Sequence, residues 1–256
     1  MSLLTVSTWN IGSLHENGRY EINLKYLKDE VLTKNHADII CLQECPNDPE
    51  LLEQLKEWTG LPSSYYVITS ESHVYLNHDM GLCILSRMPV TEISRFHPTK
   101  PQVEAWHNGK QEYWHAKLFL AVSGVLDGRK LTVITGHGFP FHRYNLDDGE
   151  HDDVISPSFA EVDNWIKDLR AELPDTLFCI AADFNYGDPL RFMPYLSGGF
   201  RDAFYGEATR PSGRKTDAVI LPVQYSPVAK CNLKSPIKDD GRGYFDHNYV
   251  SASYNL

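Results

Sequence analysis

The sequence is short of the features that would commit a chain of 256 residues to a membrane, an oxidising compartment or a polyanion. No apolar run approaches the roughly 20 residues that a helix needs to span a bilayer. The start, Met1-Ser2-Leu3-Leu4-Thr5-Val6, passes directly into a strand-like pattern without the basic and apolar regions of a secretory signal. Cysteine is sparse and odd in number, at five. Cys41, Cys45, Cys83, Cys179 and Cys231 are scattered, mostly in apolar runs, and no second Cys or His pair joins Cys41 and Cys45 to complete a zinc site. Buried free thiols and a cytoplasmic location are the expectation. Positive charge is scarce as well: 24 Lys and Arg face 34 Asp and Glu, for a formal net charge of -10. Arg210 to Lys215 is the one basic cluster, which argues against tight, sequence-independent wrapping of nucleic acid. Linkers, repeats and low-complexity tracts are missing too, so residues 1–256 are expected to form one domain. Oligomeric state stays open.

What is present is an ordinary core complement, with 42% hydrophobic residues, enough for a sizeable interior. Strand-like stretches run over Leu4 to Asn10, Ala37 to Gln43, Tyr65 to Thr69, Gly81 to Ser86 and Trp114 to Val122. Further ones cover Lys130 to Thr135, Leu177 to Ala182, Asp217 to Leu221, Tyr225 to Ala229 and His247 to Ala252. Asp127-Gly128 between apolar runs predicts a hairpin turn. Helical spacing marks Glu21 to Lys34, a stripe from Asp48 and Pro49 to Gly60, and a third helix with Ser156 as cap and Pro157 in its first turn. A short helix is expected after Pro189. Many strands with few single-faced helices predict sheet-on-sheet packing with helices on the outer faces. His97 to Tyr113 and Gly138 to Ser156 read as long loops, the second with an acidic cluster of Asp147, Asp148, Glu150, Asp152 and Asp153.

Several strand ends carry polar residues that an apolar strand does not need. The run Leu177 to Ala182 ends in Asp183-Phe184-Asn185, whose carboxylate and amide would share one side of an extended backbone. Asn10, Gln43-Glu44 and Gly136-His137 close other strands, Asp217 opens one, and Asp246-His247 precedes one. Taken singly, each has a structural explanation as a turn residue, a surface charge or a satisfied core histidine. Together they assemble a chemistry. Glu44 and Asp246 are hard oxygen ligands of the kind that hold Mg²⁺, and Asn10 can steady those carboxylates or a bound water. A His beside a carboxylate has its tautomer fixed and its basicity raised. A metal with a His–Asp pair suits metal-assisted phosphoester hydrolysis.

Six short motifs carry a resemblance: Thr8-Trp9-Asn10-Ile11, Leu42-Gln43-Glu44, Thr135-Gly136-His137, Ala182-Asp183-Phe184-Asn185, Asp217-Ala218-Val219-Ile220 and Phe245-Asp246-His247. In this order they resemble the DNase I-like endonuclease/exonuclease/phosphatase superfamily over nearly the whole chain. The resemblance implies an α/β fold of the α+β type, a four-layer sandwich in which two mixed, mainly antiparallel β-sheets pack face to face between helices. It implies Glu44 as the main metal ligand with Asp246 and Asn10 beside it, and Mg²⁺ or Mn²⁺ as cofactor. His247 would contact the scissile phosphate, oriented by Asp217. Asp183 would position or deprotonate the attacking water, Asn185 would hold a phosphate oxygen, and His137 would lie across the phosphate near the leaving oxygen. Departures from the family pattern are Ala182 for Gly, Lys215-Thr216-Asp217-Ala218 for Arg-Ile-Asp-Tyr, and Phe245 for Ser. Ser158-Phe159-Ala160-Glu161 stands where many members carry Arg and Gln, leaving Arg143 as the nearby cation.

The expectation is therefore a divalent-metal-dependent, nuclease-like phosphoesterase that cleaves a phosphodiester or phosphomonoester by in-line attack of water. Its partner would be either nucleic acid, as short or single-stranded ends, or a small phosphorylated molecule. The alternative is a small-molecule or lipid-headgroup phosphatase or phosphodiesterase, acting on a phosphoinositide or in the manner of a sphingomyelinase. A non-catalytic binding protein of the same fold is the remaining reading.

Overall fold

The computed structural model describes residues 2–12, 14, 19–70, 79–100, 103–107, 110–114, 118–144, 146, 151–236 and 244–256, with backbone alone at 70, 103–107, 110–114 and 143. In chain order the elements are β1 (Leu3–Asn10), α1 (Tyr20–Tyr26) continuing into a π-helical turn (Leu27–Leu32), β2 (Ile39–Pro46), α2 (Pro49–Thr59), β3 (Ser63–Ser70) and β4 (Met80–Ser86). Then come β5 (Thr91–Phe96), β6 (Val103–His107), β7 (Lys110–Trp114), β8 (Phe119–Leu126), β9 (Arg129–Gly136), α3 (Asp152–Glu172) and β10 (Leu177–Asp183). The remainder is α4 (Pro194–Ser197), β11 (Phe200–Asp202), β12 (Asp217–Pro222), β13 (Pro227–Leu233) and β14 (Tyr249–Asn255).

Twelve of these strands form two six-stranded sheets, ordered β13-β14-β1-β2-β4-β3 and β11-β12-β10-β9-β8-β5. Each is antiparallel except for one central parallel pair, β1 with β2 and β9 with β10. Alternation along these strands divides their side chains between two layers. Ile39 and Cys41 of β2, with Cys179 and Ala181 of β10, face the core between the sheets. Ile40 and Leu42 face a second core shared with Leu27, Leu51 and Leu55 of the helices. Phe178, Ile180 and Ala182 face a third, under Ile155, Phe159 and Ile166 of α3. Central strands buried on both faces explain their continuous apolar runs. The four-layer α/β sandwich is therefore present as expected.

Several sequence expectations shift. Trp114 ends β7, and the strand assigned to Trp114–Val122 begins instead at Phe119. The segment read as a loop over His97 to Tyr113 contains the β6–β7 hairpin, which pairs Val103 with Trp114 and His107 with Lys110. Helix α3 starts at Asp152 rather than after Ser156, so Pro157 lies within it. The acidic Asp152 and Asp153 suit a first turn, and the added turn buries Ile155 completely. Asp147, Asp148 and Glu150 lie outside the described residues. Over Leu27–Leu32 the α1 segment widens into a π-turn, which brings the adjacent Val31 and Leu32 both inside. The Asp127-Gly128 turn joins β8 to β9 with φ of 48° and 80°, the left-handed pair that a tight hairpin requires. All five cysteines are free, and all but Cys231 are buried.

Gln43 ties the sheets together beneath their shared end. Its Oε1 accepts from Thr8 Oγ1 at 3.1 Å, and its Nε2 donates to Thr135 Oγ1 of the opposite sheet at 3.0 Å. All three residues are fully buried, so each polar group depends on the others. Gln43→Leu should lower stability by about 1–3 kcal/mol by leaving two buried hydroxyls without this partner. Adding Thr8→Val and Thr135→Val should recover part of that loss. Urea denaturation midpoints of the single and triple variants check both statements, and a triple variant less stable than Gln43→Leu would contradict the bridging role.

Candidate active site

Strand direction collects the polar strand ends at one edge of the sandwich. In each parallel pair both C-termini lie at the same end: Asn10 and Glu44 from β1 and β2, His137 and Asp183 after β9 and on β10. β12 runs antiparallel to β10, so its first residue, Asp217, is paired with Asp183. β14 runs antiparallel to β1, with Val250 opposite Thr8, so Asp246-His247 lies just ahead of it at that same edge.

The groups converge on one oxygen, Asp183 Oδ2. Asn10 Nδ2 donates to it at 3.0 Å, and the Nε2 atoms of His137 and His247 approach it at 3.6 and 3.7 Å. Its partner Oδ1 is fixed by the backbone N–H of Asn185 at 2.8 Å, which sets the carboxylate's orientation. Asn10 Nδ2 also reaches Glu44 Oε1 at 3.2 Å, and His137 Nε2 lies 3.4 Å from that atom. Asn10 thus turns its amide nitrogen, not its oxygen, toward the carboxylates, while its Oδ1 accepts from Gly12 N–H at 2.9 Å.

Two local backbone features aim these side chains. The β2–β4 register shifts between Leu42 and Cys45, and within this bulge Glu44 takes φ 49°. Asn185 takes φ 53°, so the alternation expected of an extended strand does not place it beside Asp183. One of its amide N–H groups donates instead to the Gly138 carbonyl at 3.0 Å. Gly12 lies against Glu44: a Cβ on Gly12 would sit 2.2 Å from Glu44 Oε2. Nothing in the sequence pattern distinguishes this glycine from an ordinary turn residue.

On the other flank Asp217 accepts from His247 Nδ1 at 3.0 and 3.2 Å. Thr216 Oγ1 donates to Asp217 Oδ2 at 2.9 Å, and Thr209 Oγ1 accepts from the N–H groups of Thr216 and Asp217 at 2.9 and 3.0 Å. Lys215 does not face the site; its side chain, 8% exposed, pairs with Asp202 at 2.7 Å and donates to the Asp217 carbonyl at 3.2 Å. Phe245, standing where the family pattern has Ser, is buried with its ring centroid 4.5 Å from that of Trp9. Trp9 Nε1 donates to the His247 carbonyl at 3.2 Å, so this packing holds the histidine's backbone. Asp246 is half-exposed and pairs with Arg210.

Asp183, Asp217 and His247 bring potential ligand atoms within 4.8 Å of one another. Asp217 and His247 are engaged with each other, however, which makes them a poor pair of metal ligands. Glu44, 21% exposed and given room by Gly12, and Asp246, 50% exposed, are the carboxylates open enough for a hydrated divalent cation. The oxygen-rich donor set fits such an ion.

Burial alone would push the His247 imidazole down, but the carboxylates of Asp217, Asp183 and Asp246 outweigh it and raise its pKa from 6.5 to about 9. The protonated ring therefore stabilises the metal-free protein fully below pH 6.5, and that contribution is lost as pH rises through about 9. The difference corresponds to about 3 kcal/mol. In chelator, the urea midpoint should fall between pH 6.5 and 9, and Asp217→Asn should flatten the slope. An equally steep slope in Asp217→Asn would refute the assignment.

A sequence profile of the Endonuclease/Exonuclease/phosphatase family matches residues 7–218. Comparison with curated proteins gives no sequence match. The fold is similar to that of D. rerio TDP2 complexed with single strand DNA product, at 16% identity and TM-score 0.59 over 100% of both chains. It is similar to the human Nocturnin catalytic domain with bound sulfate anion, at 12% identity and TM-score 0.68 over 99% of this chain and 94% of that one. Sphingomyelinase C from Streptomyces griseocarneus aligns at 16% identity and TM-score 0.61 over 100% of both chains. With the profile spanning most of its length, this chain belongs to the Endonuclease/Exonuclease/phosphatase family.

Proposed function

We propose that the chain is a Mg²⁺- or Mn²⁺-dependent phosphoesterase, nuclease-like, that cleaves phosphate esters at short or single-stranded nucleic acid ends by in-line attack of water. The observation that carries this reading is the convergence of Asn10, His137 and His247 on Asp183 Oδ2. Glu44 and Asp246 would hold the cation, with Asn10 steadying Glu44, and the ion when bound would polarise a phosphate oxygen.

Asp183 is anchored through Oδ1, so Oδ2 can orient a water and accept its proton as the new P–O bond forms and the ester P–O bond breaks. His247, held protonated by Asp217, can donate from Nε2 to a phosphate oxygen and stabilise the charge that develops there. His137, on the opposite sheet, can face the leaving oxygen. Asn185 would hold a phosphate oxygen through its second amide N–H. The single strand DNA product in the TDP2 relative supports a nucleic acid substrate. The net charge of -10 favours a second reading, hydrolysis of a small phosphorylated molecule. Free cysteines support a cytoplasmic location; among the described residues no helix is long and apolar enough to cross a membrane.

Bis-p-nitrophenyl phosphate should be hydrolysed with Mg²⁺ or Mn²⁺ and not in chelator. His247→Ala and Asp183→Asn should each reduce turnover by at least about 100-fold with the circular dichroism spectrum unchanged. Undiminished turnover in a folded Asp183→Asn protein would remove Asp183 from the proposed role. Gly12→Ala, which displaces the Glu44 carboxylate, should lower turnover by about 10-fold or more; wild-type activity would show that Glu44 does not need that position. A panel of single-stranded oligonucleotides, nucleotides, phosphoinositides and sphingomyelin separates the substrate classes.

A further inference from the structure

Arg210 belongs to none of the motifs above, yet it grips Asp246 at two points. Its Nη2 pairs with Asp246 Oδ2, and its Nε donates to the Asp246 carbonyl at 3.1 Å. Oδ2 is the oxygen 4.0 Å from His247 Nε2, so the guanidinium holds the side of the carboxylate that faces the site. The grip is anchored. Thr209 and Arg210 both donate backbone N–H groups to the Arg214 carbonyl at 2.9 Å, and Gly213 N–H donates to the Arg210 carbonyl at 3.0 Å. Thr209 carries this small loop into the site frame, since its carbonyl accepts from Asn248 N–H at 2.8 Å and its hydroxyl accepts from Asp217 N–H. The Arg210 side chain is only 14% exposed, whereas Asp246 is 50% exposed.

A guanidinium seated on one carboxylate oxygen weakens the charge that oxygen offers to a divalent cation, and the two positive charges repel at this range. Resting on the metal-dependent reading above, we propose that Arg210 is a positioning residue that occupies the cation-facing oxygen of Asp246, and that cation binding displaces it. The loop keeps the displaced guanidinium beside the site instead of releasing it to solvent. Arg210 thereby sets the affinity for the ion: it holds Asp246 in place when the ion is away and opposes the ion's entry.

Calorimetric titration with MnCl₂ tests this without reading activity. Arg210→Met should bind Mn²⁺ at least about fivefold more tightly than wild type, with Arg210→Gln changing in the same direction and Arg210→Lys near wild type. In an Asp246→Asn background the Arg210→Met gain should disappear. A merely structural role for Arg210 would weaken binding on mutation, not tighten it. Equal or weaker binding in both Arg210→Met and Arg210→Gln would overturn the exchange, as would a gain of the same size in the Asp246→Asn background. No Mn²⁺ binding by wild type or any variant would instead overturn the metal-dependent reading on which the proposal rests.

Discussion

Strand direction is the constraint from which the site's geometry follows. Each sheet contains a single parallel pair at its centre, and parallel pairing forces both C-termini to one edge. Because the sheets pack face to face, those two edges meet, and the antiparallel neighbours β12 and β14 bring their first residues to the same place. Residues as distant in sequence as Asn10 and His247 therefore both arrive within a few ångströms of Asp183. Gln43 bridges the sheets below Glu44 and His137, since it accepts from Thr8 in its own sheet and donates to Thr135 in the other.

The concentration of negative charge at this edge is managed by pairing. Asp217 faces a histidine that its field keeps protonated, Asp183 receives an amide and two imidazoles, Asp202 is neutralised by Lys215, and Asp246 is held by Arg210. Glu44 is approached by the Asn10 amide and the His137 ring. Buried carboxylates carry a large desolvation penalty unless so compensated. The acids range from Asp183 and Asp217, fully buried, to Asp246, half-exposed.

Much of this was legible in the sequence because its physics is local. Apolar runs such as Leu177 to Ala182 announce strands buried on both faces, and the polar residues at their ends stand out against that background. Asp127-Gly128 specifies a turn by backbone preference alone. The misread elements owe their form to tertiary context. β5 is an edge strand of alternating exposure, and the β6–β7 hairpin sits among prolines and glycine that signal a loop. α3 begins a turn earlier than its Ser-Pro signal because Ile155 is buried against the sheet. The aim of Glu44, the Asn185 amide tied to the Gly138 carbonyl, the room left by Gly12 and the inward-facing Lys215 depend on a bulge, two left-handed residues and a neighbouring carboxylate, none of which a linear pattern encodes.

The pairing of β1 with β14 has a kinetic consequence. Leu3 to Thr8 pair with Val250 to Asn255, so β1 waits for a partner far downstream in the sequence. Until Tyr249–Asn255 leaves the ribosome, β1 has only β2 on one side and presents its other edge unpaired. Its sequence, Leu-Leu-Thr-Val-Ser-Thr-Trp, is uncharged and rich in strand-forming residues, the composition that invites pairing with another chain. The nascent chain is thus vulnerable to misassociation until β14 docks, and the closing of that edge and the completion of the His247 side of the site are the same event.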